Sequence, residues 1–192
     1  MRAVLVLLVL LTAPGLAPAQ QQRPAGGRGA EAARPDLDTL FEALKAAPDE
    51  ASAAMVESRI RAAWVAQASP AAVLLLRRGA RNLAARTNDE ALEDFDAAII
   101  LSPTSAEAWH QRAQAYAALG DATAAARDLQ EALRLEPRHF GALMTLSILQ
   151  EDRGDARAAL RSLEAAISLY PRLPGSEQRL RELRRKAEGD AT

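Results

Sequence analysis

Pro103, Pro137 and Pro171 stand 34 residues apart, and several positions between them keep the same step. Ala91, Ala125 and Ala159 do so, as do Phe95, Leu129 and Leu163, and Ala98, Ala132 and Ala166. Gly120 recurs as Gly154, and Leu75, Trp109 and Leu143 fall in one register. A period of this length over three copies constrains the fold more than any other feature. Each unit must be a small supersecondary element that cannot bury its apolar face alone and therefore stacks on its neighbours.

Within Ala106–His139 two helical patterns lie back to back. Trp109, Ala113, Tyr116 and Ala117 share one helical face. Ala125, Leu129, Ala132, Leu133 and Leu135 share another. Ala113 and Ala125 are small where the two helices should approach, and Ala132 is small where the second helix should meet the next pair. A bulky side chain at such a contact costs about 1–3 kcal/mol. Gly120 suits the left-handed residue that ends a helix, Asp121 can cap the next one, and Pro137 cannot continue it. The first copy has Arg86 where the glycine belongs, which predicts a looser turn with Thr87 or Asn88 as the cap. Helix pairs are expected at about 72–85 with 88–101, 106–119 with 122–135, and 140–153 with 156–169.

These residues resemble the tetratricopeptide repeat family, with its W-x2-L-G-x2-Y…A-x3-F…P unit of about 34 residues. The resemblance spans residues 72–173, as repeats 72–105, 106–139 and 140–173. Arg112-Ala113 stands where the family has Leu-Gly, and Gln150 replaces the tyrosine in the third copy. The resemblance implies an all-α fold, a right-handed α-solenoid of antiparallel helix pairs. In such proteins the first helix of each pair lines a concave groove. Position by position, that groove would hold Leu76, Ala80 and Leu83, then His110, Gln114 and Ala117, then Met144, Ile148 and Glu151. An extended peptide or a helix of a partner protein would suit this half-apolar lining. The cluster of Lys and Asn with which some members clamp a partner's terminal carboxylate is missing from these positions.

The flanks differ in character. Residues 1–19 read as a secretory signal peptide: Arg2, the apolar run Ala3 to Leu11, the breakers Pro14 and Gly15, and an A-x-A site at Ala17-Pro18-Ala19. The competing reading is a retained anchor, but the run is shorter than the ~20 apolar residues that a span needs. Export, with the periplasm as destination and no membrane insertion after cleavage, is the expectation. Residues 20–35 form a linker without a large apolar side chain, and its Gly26-Gly27-Arg28-Gly29 lacks the strand and Gly-Lys-Ser/Thr context of a phosphate loop. Residues 36–70 predict a degenerate helix pair, marked by Leu37, Leu40, Phe41 and Leu44 and then by Met55, Val56, Ile60, Ala63 and Trp64. As an atypical terminal unit it should cap the N-terminal end of the array. Residues 174–188 predict a C-terminal capping helix with Leu180, Leu183 and Ala187 as its apolar stripe.

Composition narrows the function. A formal net charge of −1 leaves no basic excess for nucleic acid. The absence of cysteine excludes disulfides, thiolate metal sites and lipidation at a cysteine. The only histidines, His110 and His139, have no second histidine at i+4 and no carboxylate set with metal-ligand spacing. No catalytic residue, metal or cofactor is therefore expected, and the chain reads as a non-catalytic scaffold for another protein. Two rivals make different demands. A small enzyme with a site assembled in space would use His110 as its base. A structural subunit of an envelope complex would be held through Arg179, Arg181, Arg184, Arg185 and Lys186. The acidic run Asp89, Glu90, Glu93, Asp94 and Asp96 reads as a solvated helix start that complements the helix dipole.

Overall fold

The structure, a computed structural model, describes residues 36–189. The expected signal peptide and linker lie outside the described residues. Within them are nine α-helices and no strand: α1 (Leu37–Ala46), α2 (Glu50–Ala66), α3 (Pro70–Ala84), α4 (Asn88–Leu101), α5 (Ala106–Ala118), α6 (Ala122–Leu135), α7 (Phe140–Asp152), α8 (Ala156–Leu169) and α9 (Ser176–Gly189). None of the described helices is long and apolar enough to cross a membrane.

Helices α3 to α8 form three stacked antiparallel pairs, and repeated local devices define them. Ser69, Ser105 and His139 cap α3, α5 and α7 by accepting the backbone N–H of Ala72, Ala108 and Ala142. Asp121 and Asp155 do the same for α6 and α8. Helix α3 starts at Pro70 rather than Ala72, because a proline costs no hydrogen bond in the first turn. The turns between paired helices are identical in kind. Gly120 and Gly154 have φ of 83° and 80°, and Arg86 has φ of 64°. The following residues Thr87, Asp121 and Asp155 return their N–H to the carbonyls of Asn82, Tyr116 and Gln150. The looser first turn expected from Arg86 is thus not what forms. The same left-handed turn is kept, with a side chain that disfavours it.

Small residues let the backbones close. Ala91, Ala98, Ala113, Ala125, Ala132, Ala159 and Ala166 are all fully buried. Gly79 sits so near α4 that a Cβ there would lie 2.5 Å from Phe95 Cε1. Polar links reinforce the pairs. Arg78 pairs with Asp94, and one repeat later Arg112 binds Asp128 through two bonds of 2.7 and 2.8 Å and Asp96 through one of 2.7 Å. This explains Arg112 where the family has leucine: helix one donates to an aspartate on helix two. It also corrects the reading of the acidic run as wholly solvated, since Asp94 is buried and Asp96 is paired. The third repeat has Leu146 and Ser162 at these two positions.

At the C-terminal end, Leu183 of α9 is buried against Ala159 and Leu163. The N-terminal pair behaves differently. It does not cap the outer face of α3. Leu74, in register with the fully buried Ala108 and Ala142, is 68% exposed there. Instead α1 and α2 fold across the array. Leu40, Phe41, Leu44, Ile60 and Trp64 share one core with Phe140 at the start of α7 and Tyr170 at the end of α8. Arg138 binds Asp38 at 2.5 Å and covers the Phe41 ring at 4.6 Å, while Arg172 Nε donates to the Ala47 carbonyl at 3.3 Å. Burying seven such side chains is worth roughly 10–20 kcal/mol gross, an upper figure because the unfolded chain also hides some surface. That exceeds what a loosely held flap could contribute, so the pair is part of the folded domain.

Candidate functional site

Helix α2 lies on the face that the groove assignment singled out. Its Arg61 lines a shallow cavity of about 290 Å³ together with Ala80, Leu83 and Ala84 of α3, Phe95 of α4, and Glu107, Gln111 and Gln114 of α5. Three of the expected groove residues, Ala80, Leu83 and Gln114, are thereby brought together. Ala80 is exposed; Leu83 and Gln114 are half-buried. Ala117 is exposed and Ile148 is 45% exposed, but neither lines this cavity.

The other four expected positions are occupied. Leu76 is 1% exposed and packs among Ala72, Phe95 and Ala98. His110 is also 1% exposed. Met144 packs against the cluster of Leu163 and Leu183, and Glu151 is tied to Arg179 and Lys186 of α9 at 2.6 Å each. Leu76 is covered by its own helix pair, whereas His110, Met144 and Glu151 lie where α2 and α9 cover surface that an array of three repeats alone would leave open. Those C-terminal cations are accordingly engaged at home, and Arg184 also reaches Glu164.

Beneath α2 lies a buried polar cluster that sequence spacing did not flag. Glu107 Oε2 is 3.0 Å from His139 Nε2, and its Oε1 accepts from Gln111 Nε2 at 2.6 Å. His139 Nδ1 accepts the Ala142 N–H, so the hydrogen on Nε2 points to the carboxylate. The Trp64 ring stacks on His139 with centroids 4.1 Å apart and planes 12° apart. His110 Nε2 lies 3.1 Å from Thr145 Oγ1, which itself donates to the Gly141 carbonyl at 3.0 Å. Burial works against the Glu107 carboxylate, but the two imidazoles more than offset it and hold its pKa below the usual carboxylate range. Burial pushes His110 below its ordinary value; Glu107 opposes this, and His139 and Arg61 add to it. The His110 imidazole is thereby closed off from solvent.

Among the described residues Glu107, His110 and His139 are the one set that could hold a metal ion. Glu107 and His110 sit at i and i+3 on one helix face, a signal present in the sequence and missed there. His139 joins them only through repeat stacking.

Residues 106–139 match the tetratricopeptide repeat family. A TPR repeat-containing protein of Rhizobium etli is 34% identical over 113 residues, covering 59% of this chain and 55% of that protein. The chain therefore spans about half the length of this curated relative. The Sgt2 TPR domain of Aspergillus fumigatus superposes with a TM-score of 0.61 at 23% identity, over 65% of this chain and 83% of that one. The first TPR domain of Spaghetti (RPAP3), bound to an HSP90 peptide, does so with a TM-score of 0.59 at 20% identity, over 65% and 96%. With the three stacked pairs described above, the fold is that of a tetratricopeptide-type array, and residues 106–139 are similar to that family's repeat.

Proposed function

We propose that this protein is a non-catalytic scaffold that grips a short segment of a partner protein in the cavity between α2 and the first helices of repeats one and two. The observation that carries this reading is the cavity itself: the fixed N-terminal pair narrows the repeat face to a site walled by Arg61, Ala80, Leu83 and Gln114. Leu83 and the two alanines accept a small apolar side chain. The Gln114 carboxamide can both donate to and accept from an extended backbone, and the Arg61 guanidinium supplies donors at the rim. Peptide binding by a structural neighbour supports the mode without extending to its particular ligand.

The site is tested by Ala80→Arg with Ala84→Arg, two exposed positions one turn apart on α3. Partner capture should fall at least ~10-fold while helix content and melting temperature hold. Undiminished capture would overturn the assignment.

The same proposal places the protein outside the cytoplasm, in the periplasm or cell envelope, on the strength of residues 1–19. Support comes from the charged start, apolar run and A-x-A site of that stretch. Fractionation of the full chain against one lacking residues 2–19 tests it. A full chain that stays in the cytoplasm would refute export.

A further inference from the structure

We propose that Glu107, His110 and His139 form a binding site for a divalent transition metal of the zinc class, a structural clip between repeat two and the start of repeat three. This does not depend on the peptide-binding reading.

The geometry begins with an uncompensated pair of acceptors. The His110 Nε2–H points to Thr145 Oγ1, whose own proton goes to the Gly141 carbonyl. His110 Nδ1 is fully buried and without a hydrogen-bond partner. It faces Glu107 Oε2 at 3.9 Å, too far for a hydrogen bond between them. Gln111 Oε1, on the side chain that holds the other Glu107 oxygen, is a second buried acceptor without a partner. A cation held among these acceptors and the Glu107 carboxylate would satisfy them.

The three donor atoms lie within 4.8 Å of one another. Two metal–ligand bonds of ~2.1 Å can span up to about 4.2 Å, so separations of 3.0 and 3.9 Å to Glu107 Oε2 are within reach of one ion, and a small shift of the two imidazoles toward each other completes the set. Two imidazoles and a carboxylate suit zinc and its neighbours rather than calcium or magnesium. Thr145 is the outer partner that orients His110. His139 enters by shifting its proton from Nε2 to Nδ1, which gives up the Ala142 cap. The Trp64 ring on His139 closes the cluster, so the ion would be structural and sealed.

The test uses the full chain, unfolded and refolded with zinc chloride or with a chelator, then washed and assayed for metal. One zinc per chain is expected, with a higher melting temperature than the chelated protein and a visible d–d absorption on cobalt substitution. Glu107→Gln and His139→Asn should remove retention while the zinc-free protein stays helical, because asparagine still caps α7. Thr145→Val should weaken zinc by ~10- to 100-fold, as an outer partner does. Wild-type protein that refolds without taking up zinc overturns the proposal, as does equal retention by wild type and Glu107→Gln. If either ligand variant fails to fold, wild-type metal content and Thr145→Val decide.

Discussion

The repeat array and the N-terminal helix pair are held by different kinds of contact. In the array, buried alanines and one glycine let helices touch, and the same contacts recur every 34 residues. The N-terminal pair is anchored by large rings: Phe41 meets Phe140 edge-on at 6.3 Å, Phe140 meets Tyr170 at 5.5 Å, and Trp64 stacks on His139. Close approach of small residues tolerates no added atom, whereas a ring cluster tolerates no lost one. The two regions should therefore fail in opposite ways.

The largest effect is expected from Trp64→Ala, which empties the centre of the ring cluster. It should cost about 3–5 kcal/mol in denaturant unfolding, and brief proteolysis should then cut between α2 and α3 while the array stays folded. If the array unfolds with the pair, the two regions are a single cooperative unit.

Gly79→Ala inverts the logic by adding one carbon. With Phe95 Cε1 2.5 Å from the new Cβ, about 1–3 kcal/mol should be lost, all of it in the array. A neutral result would mean that α3 and α4 pack less closely than described.

Asp128→Ala leaves the half-buried Arg112 guanidinium with only Asp96, and about 1–3 kcal/mol should go. Arg112→Leu with Asp128→Ser copies the third repeat, where Leu146 and Ser162 stand, and should regain most of that loss. The smallest change is a gain. Arg86→Gly relieves a left-handed residue at φ 64° and should stabilise by about 1 kcal/mol, read as a rise in melting temperature.

These two kinds of contact also explain what could be read from the sequence. Ala113 and Ala125, Gly120 and Gly154, Asp121 and Asp155 act on near neighbours, and their recurrence announced both the helix pairs and their stacking. Arg86 misled because a turn can keep its geometry with an unfavourable residue when both flanking helices are fixed. The docking of α1 and α2 left no such trace. Its contacts join residues about 75 to 125 positions apart, such as Trp64 with His139 and Ala47 with Arg172, and no period links them. The groove residues followed suit: Ala80, Leu83 and Gln114 stayed at a cavity, whereas Leu76, His110, Met144 and Glu151 were covered by neighbouring elements. The buried trio was half visible, as Glu107 and His110 on one face. His139 could be added only once the start of the third repeat was known to lie beside that face.

The central claim is that the N-terminal pair lies across the repeat face onto the third repeat. Because the chain has no natural cysteine, Asp38→Cys with Arg138→Cys gives one addressable pair. Treated with a short bis-maleimide at low protein concentration, the double variant should form an intramolecular bridge in native buffer and lose it in urea. A native protein that retains its helix content yet forms no such bridge would contradict the docking on which the site depends.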